Sequence, residues 1–306
     1  MKYLAVTFIL LCIAQTARAQ HSPHRVRLAP RINTTSNATQ RWYPRPLSTQ
    51  TGNVLQLDAD QLSIVLTGQN APTRFAARRV LDIELTTVPQ EQDAAIRSFK
   101  QGDFKNALPA LVRCVSDQDP SERPAVWRQQ WLSMLAAQAA MRSGRGDIAL
   151  ELVGQLDARP LPTMTLGLLP IDWTGMAATH DHMMDVAAER AGSKSLAVKL
   201  VVASWLLRSP KYRPAAEAAV RRLTAQQDRK RISTLAGQLR WRTKTPPEVE
   251  AGLQRWENEI DQLPMALQTG PMISLLHLVR QAGLKNATKK WELTIEHAAP
   301  TWHPDL

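Results

Sequence analysis

Cysteine is almost absent from this 306-residue chain, which contains only Cys12 and Cys114. Cys12 lies in an N-terminal stretch that we expect to be removed, so a single thiol would remain and no internal disulfide could form. The fold must then be stabilised by its hydrophobic core. Cys114 falls at a packing position of a predicted helix, and we interpret it as a buried structural thiol rather than a nucleophile.

Long apolar runs are also missing. The N-terminal apolar stretch follows Lys2, is about twelve residues long, and precedes an A-x-A cleavage pattern at Ala17 and Ala19. Residues 1–19 are therefore predicted to be a signal peptide, which implies a periplasmic, cell-envelope or secreted location. A lipoprotein would use Cys12, but Leu11 stands where a small residue is needed. No transmembrane segment is expected after cleavage, because the most apolar later stretch, 196–207, is too short to span a membrane.

Several common catalytic motifs are missing from the sequence. There is no G-x-S-x-G elbow, no Glu-Ser pair of the murein-cleaving transglycosylases and no phosphate-binding Gly-rich loop. We therefore predict a non-enzymatic protein without a cofactor. The best metal-like cluster is His180, His182 and Asp185, which are ligand types that zinc accepts. The alternative is a helix start at which Thr179 or Asp181 caps the backbone.

The chain has an excess of positive charge. Without residues 1–19 it has 36 basic and 27 acidic residues, a formal net charge of +9. Such a surplus attracts anionic polymers, lipids or nucleic acid, and the exported destination argues against nucleic acid. Nine residues within 221–244 allow two interpretations. They form a polyanion-binding surface, or they form a solvated helix face with Trp241 in the core. The candidate residues are Arg221, Arg222, Arg229, Lys230, Arg231, Arg240, Trp241, Arg242 and Lys244.

The N-terminal part divides into two segments. Residues 20–50 are rich in Pro, Arg, Asn and Thr and predict a flexible linker. Residues 51–88 contain three short β-branched runs, NVLQLD, QLSIVLT and RFAARRVLDIEL, which predict a small β-module. So small a module buries little surface alone, and we expect it to pack on its neighbour or to recruit residues 45–50 as another strand. Its strand spacing resembles that of small SH3-like or Sm-like barrels.

From residue 89 the chain predicts helices with a recurring spacing. Small residues and a turn glycine recur at the same distances in two copies within 89–160, and a third, weaker copy follows after residue 200; the aromatic of the first copy, Phe104, is replaced by Gly146 in the second. The pattern resembles a tetratricopeptide-type (TPR-like) helical repeat, in which two antiparallel helices cross closely at the small residues. Pro109 falls inside a predicted helix, where it should cost a backbone hydrogen bond. The residues assigned to repeat packing are Ala95, Gly102, Phe104, Ala107, Ala137, Gly144, Ala149, Tyr212, Ala215 and Ala219.

The chain therefore predicts a mainly α fold, a helical-hairpin solenoid preceded by a small all-β module. The apolar, Pro- and Gly-rich segment 161–179 is expected either to pack over the solenoid or to line a groove, and 180–306 should form further hairpins. The first functional hypothesis is an exported scaffold that binds a protein or peptide on its concave side. The alternatives are a cell-envelope binder of an acidic polymer and a metal-dependent hydrolase.

Overall fold

The computed structural model describes residues 23–30, 47–116, 123–176 and 181–298. Within these ranges a five-stranded sheet precedes twelve α-helices, which confirms the predicted mainly α fold with a small β-module. The strands are β1 (His24–Leu28), β2 (Ser48–Leu57), β3 (Gln61–Leu66), β4 (Pro72–Ala76) and β5 (Val80–Leu85). The helices are α1 (Gln90–Lys100), α2 (Phe104–Ser116), α3 (Val126–Arg142), α4 (Gly146–Leu156), α5 (Thr163–Leu166), α6 (Asp181–Arg190), α7 (Leu196–Leu206), α8 (Arg213–Thr224), α9 (Lys230–Leu239), α10 (Pro246–Gln262), α11 (Thr269–Gln281) and α12 (Lys285–Ala298).

Strand β1 lies inside the antiparallel sheet, whose order is β4-β3-β2-β1-β5. Val26 stands opposite both Gln50 of β2 and Ile83 of β5. The predicted flexible linker over 20–50 is therefore wrong for residues 24–28, and also for residues 48–50, which begin β2. So short a strand shows only three inward positions, and its alternation is hard to see between flanking prolines. Residues 1–22, with the predicted signal peptide, and residues 31–46 lie outside the described ranges.

The three strand-like runs of the β-module are confirmed. The third run divides into β4 and β5 at a 3-10 turn, Ala77–Arg79, in which Ala77 is fully buried. The sheet packs against α3, where the ring of His24 meets Trp127 edge-on with centroids 5.8 Å apart. The expected packing of the module on its neighbour is thus confirmed, whereas the resemblance to SH3-like or Sm-like barrels remains a prediction.

Helices α1 and α2 form one hairpin, and α3 and α4 form a second, each closed by a three-residue turn. Gly102 and Gly144 have φ angles of 76° and 79°, which only glycine adopts without a steric penalty. The N–H after each glycine bonds back to a carbonyl of the last helical turn, Asp103 to Ser98 at 2.9 Å and Arg145 to Ala140 at 2.8 Å. These bonds satisfy carbonyls that the helix end leaves open, so the predicted turn glycines are confirmed.

Small residues lie where the helices of the first two hairpins touch. Ala95, Ala107, Ala137 and Ala149 are all buried, as predicted. A methyl group at such a point lets the helix axes approach toward the short end of about 8–10 Å. Phe104 covers the first joint, with its ring 5.5 Å from that of Phe99.

The third hairpin, α7 with α8, has its contact residues one position later than predicted. Ala215 is exposed and Ala219 only half-buried, whereas Ala216 is buried. The turn before α8 spans residues 207–212, because Pro210 cannot adopt the positive φ that closes the shorter glycine turns. In all three hairpins the buried alanine is the fourth residue of the second helix. Tyr212 is half-buried just before α8.

The apolar segment 161–176 packs against the first helices of the second and third hairpins. The Gln138 side-chain amide of α3 donates to the Leu168 carbonyl at 3.0 Å, and the Trp205 indole of α7 donates to the Pro170 carbonyl at 2.9 Å. On its other side the segment, through α5, contacts β5 and the Ala77–Arg79 turn. Eight consecutive residues of α3, 134–141, and seven of α7, 200–206, are buried, so neither helix has an open face in this stretch. The segment is therefore core, which confirms that it packs over the helical array.

The C-terminal helices α10–α12 enclose a second hydrophobic cluster. Trp241 stacks on Trp256 with centroids 5.3 Å apart, and Trp291 is buried beside them. Arg242 joins this cluster to the array, since its guanidinium donates to the backbone carbonyls of Asp172 and of Ser204, the latter at 2.7 Å. The predicted further helices after residue 180 are thus confirmed.

Candidate binding groove between α2 and α4

An apolar groove of about 690 Å³ runs between α2 and α4, the second helices of the first two hairpins. Its walls come from two helices that are separated by 29 residues in sequence, and α3 packs against both of them. The lining residues are Lys105, Leu108, Pro109 and Val112 of α2, Ser143 and Arg145 of the turn before α4, and Ile148, Glu151, Leu152 and Gln155 of α4.

Two apolar stripes on each helix produce this groove. The inner stripe carries Ala107 and Leu111 on α2 and Ala149 and Val153 on α4, and all four side chains are buried in the array. The residue after Ala107 and the residue before Ala149 face the groove, each together with the residue four positions later, because positions four apart share one side of a helix. These groove positions are Leu108 and Val112 on α2, and Ile148 and Leu152 on α4.

Pro109 lies on the α2 wall and is exposed. The helix continues through it, but proline has no N–H to donate to the carbonyl of Lys105 four residues earlier. The predicted lost hydrogen bond therefore falls at the groove, where α2 offers one carbonyl that its own ladder does not use.

Only some of the charged side chains around the groove have a salt-bridge partner. Arg145 pairs with Asp147 at 3.0 Å, and this hydrogen bond from Arg145 is the main cause that lowers the pKa of the Asp147 carboxyl. Lys105 and Glu151, on opposite walls, form no salt bridge with any described residue. The only serine of the lining, Ser143, donates its hydroxyl to the Ala139 carbonyl at 2.8 Å. The lining is thus suited to binding an apolar surface with charged edges.

A second depression of about 500 Å³ lies on the other side of α4, toward α6 and α7. It shares Glu151 and Gln155 with the first groove and adds Glu189 and Arg190. The ridge of α4 that carries Glu151 and Gln155 therefore stands between two hollows of the surface.

The predicted polyanion-binding residues do not form one free surface. Arg229 pairs with buried Asp157, Arg231 donates to the Ala59 carbonyl at 2.6 Å, and Arg242 holds the two carbonyls described above. Lys244 pairs with Glu248 at 2.7 Å. Trp241 is buried, so it cannot serve as an exposed aromatic plane, and the alternative of a core tryptophan is correct. Four exposed cations remain, namely Arg221, Arg222, Lys230 and Arg240.

The metal-like cluster is only partly described. His180 lies outside the described residues, while His182 and Asp185 are exposed on α6. Among the described residues no three His, Cys, Asp or Glu side chains come together in a group that could hold a metal ion.

The one described cysteine is structural. Cys114 is buried in α2, and its burial is the main cause that raises the pKa of the thiol. A thiol with a raised pKa is a poor nucleophile at neutral pH, because the thiolate is the reactive form. The predicted buried thiol is confirmed.

Sequence reasoning did not select the groove residues Leu108, Val112, Ile148 and Leu152. The available signal was a second apolar stripe, offset by one residue from the alanine stripe of the same helices.

Across the described part of the chain, no helix combines the length and apolar character needed to cross a membrane. Comparisons with protein-family models, with curated proteins and with solved structures found no match.

Proposed function

We propose that this protein is an exported, non-enzymatic scaffold with TPR-like hairpins that binds a protein partner in the groove between α2 and α4. The observation that carries the proposal is the apolar lining of that groove, in which Val112, Ile148 and Leu152 are half-buried and Leu108 is buried at the base. A groove of this kind gains binding free energy by removing apolar surface from water.

The position of the chain's own segment 161–176 also supports this choice of surface. The sequence-based hypothesis placed the partner on the concave side of the array. Since α3 and α7 are covered by residues of this segment, the first helices of these hairpins offer little free surface to a partner. The second helices α2 and α4 keep an accessible apolar side.

Site-specific photo-cross-linking tests the proposal. A benzophenone amino acid at Leu152, inside the groove, should give a discrete adduct in cells that express the full chain. The matched control places the same amino acid at Leu55, an exposed apolar residue of β2. Adding Val112→Glu, at a half-buried residue of the opposite wall, to the Leu152 variant should abolish the adduct, because the new charge must then be desolvated. Equal adducts at residues 152 and 55, or none at 152, would reject the groove as a binding site.

Binding of an acidic envelope polymer is the second candidate, and the exposed cations Arg221, Arg222, Lys230 and Arg240 favour it. Retention on an anionic matrix should fall as salt screens these charges. Reversing Arg221 and Arg222 to glutamate should shift elution to lower salt by more than reversing Lys285 and Lys289, which are also exposed and change the net charge equally. Equal shifts would show a response to net charge alone and no specific surface.

A further inference from the structure

The walls of the α2–α4 groove are helices, and this limits the backbone of any occupant. Within a helix the N–H and C=O groups bond to one another, so such walls lack the row of free groups that an added strand requires. The exceptions are isolated: Pro109 leaves the Lys105 carbonyl without its helical donor, and the N–H groups in the first turns of α2 and α4 have no intrahelical acceptor. An extended peptide would therefore bury unsatisfied backbone groups against an apolar lining, at a cost of about 1–3 kcal/mol each. A helical occupant satisfies its backbone internally.

The spacing of the apolar side chains fits a third helix. Leu108 and Val112 form a four-residue row on α2, and Ile148 and Leu152 form the corresponding row on α4. Rows of this spacing are the ridges between which side chains of another helix insert. Helix α4 has eleven residues and is about 16 Å long, so an occupant of about three turns matches the groove.

The charges of the walls define the flanks of that helix. Lys105 stands on the α2 wall and Glu151 on the α4 wall, and neither has a salt-bridge partner among the described residues. Arg145 is already neutralised by Asp147. A complementary helix would have acidic side chains on the flank toward α2 and basic side chains on the flank toward α4, with an apolar stripe between them.

We infer that the natural occupant of the groove is an amphipathic helix of about three turns that belongs to a partner protein, with an acidic flank facing Lys105 and a basic flank facing Glu151. This inference rests on the proposed function and names the class of partner that the groove accepts. The groove recognises an amphipathic helix with one acidic and one basic flank. The apolar stripe of that helix contacts Leu108, Val112, Ile148 and Leu152.

A displayed peptide library tests the inference with defined probes. One half of the pool has a helical frame, with apolar residues at i, i+3, i+4 and i+7 and helix-forming residues elsewhere. The other half has a strand frame of the same length, with alternating apolar residues. Both halves are selected together on the full chain and counter-selected on the Leu108→Ala/Leu152→Ala variant, whose folding is checked by its melting temperature. We expect enrichment of the helical frame, with acidic and basic residues on opposite flanks.

The enriched peptide is then synthesised, and its affinity is measured by fluorescence anisotropy. Leu152→Ala should weaken binding about tenfold or more, and Lys105→Glu or Glu151→Lys about threefold or more. Exchanging the acidic and basic flanks of the peptide should restore binding to the Lys105→Glu/Glu151→Lys double variant. Leu55→Glu, on the sheet, should leave affinity unchanged.

Enrichment of the strand frame, or of neither frame, would overturn the inference. The same holds if the chain dimerises in sedimentation and Leu152→Ala restores the monomer, since a second copy would then occupy the groove. The two proposals fail separately. A discrete cross-link at residue 152 without helical enrichment retains the groove as a binding site and rejects only the helical occupant, whereas the absence of any specific cross-link rejects both.

Discussion

Single glycines decide how closely the C-terminal helices approach the segment 161–176. A Cβ at Gly270 would lie 2.1 Å from the indole nitrogen of Trp173, and one at Gly167 would lie 2.1 Å from the Ala266 carbonyl oxygen. Neither glycine has a positive φ angle. Glycine is therefore needed at these positions because a side chain would clash, and not because of the backbone conformation. Gly167 allows the segment to approach the 3-10 turn Met265–Leu267, and Gly270 allows Trp173 of the segment to approach the start of α11.

Gly270→Ala should destabilise the protein by about 1–3 kcal/mol, because Trp173 must move to make room for the methyl group. The matched control is Gly237→Ala in α9, where an added Cβ meets nothing within 4 Å and alanine favours the helix. Chemical denaturation of both variants checks the difference. An unchanged midpoint for Gly270→Ala would mean that Trp173 does not hold this position.

His277 makes stability depend on pH. Burial is the main cause that lowers the pKa of its imidazole below the ordinary 6.5, and the charge of Arg242 acts in the same direction. Its Nε2 lies 2.8 Å from the Gln281 amide nitrogen, which can only donate, so His277 accepts this bond in its neutral form. Protonation would remove the acceptor and add a positive charge near Arg242.

Because the folded pKa lies below the unfolded one, the unfolded chain takes up the proton first as the pH falls. The stability linked to His277 is therefore complete above about pH 6.5 and is lost as the pH falls toward the folded pKa. His277→Gln should reduce the loss of melting temperature between about pH 7 and pH 5. Parallel pH profiles of the two proteins would show that His277 contributes nothing to the acid response.

At the scale of elements, the first two hairpins follow their sequence pattern and the third follows it with a shift. The spacing of Ala95, Gly102 and Ala107 indicates a three-residue turn closed by a glycine. Ala137, Gly144 and Ala149 of the second hairpin have the same spacing. In the third copy a proline replaces the glycine and the turn becomes six residues long. The turn is three residues longer, but α7 ends three residues after Ala203, whereas α1 and α3 end five residues after Ala95 and Ala137. A pattern counted from the alanine of the first helix therefore misplaces the contact by one residue.

This shift gives a paired prediction. Ala216→Leu should cost about 1–3 kcal/mol through overpacking, as should Ala107→Leu, because both side chains are buried where helices meet. Ala215→Leu should leave stability within about 0.5 kcal/mol, since that residue is exposed. Thermal melts of the three variants measure the effect. A destabilised Ala215 variant with an intact Ala216 variant would restore the unshifted register.

Elements with a clear period were predictable from the sequence, and those defined by long-range contacts were not. The helices of the first two hairpins and the strands β2, β3 and β5 have apolar periods of their own. Strand β1 carries too few residues for a period, and its place between β2 and β5 depends on pairing over more than 50 residues. The groove was missed for a related reason, because it exists only when Leu108 and Leu152 are brought to facing walls.

For the whole molecule, Arg242 forms a polar link between the C-terminal cluster and the helical array. Its guanidinium is largely removed from water, which is the main cause that lowers its pKa, and it bonds carbonyls from both the segment 161–176 and α7. Hydrogen bonds from a charged donor contribute more than neutral ones, and both carbonyls lose such a donor when the cation is removed.

Arg242→Ala should therefore destabilise the protein by about 1.5–3 kcal/mol and should loosen α10–α12 before the array. Hydrogen exchange followed by mass spectrometry would show faster exchange in residues 246–298 than in residues 126–156. Arg240→Ala, which changes an exposed neighbour, serves as the control. Uniform acceleration across the chain would mean that the two parts unfold as one unit.

A linear array of hairpins can usually lose a terminal repeat and remain folded, since each repeat touches only its neighbours. The segment 161–176 removes that freedom here. It lies near the middle of the sequence, yet it contacts the N-terminal sheet, α3, α7 and the turn before α11. Shortening the protein from either end would strip partners from this central strip, so engineering by repeat deletion should yield aggregates instead of smaller soluble arrays.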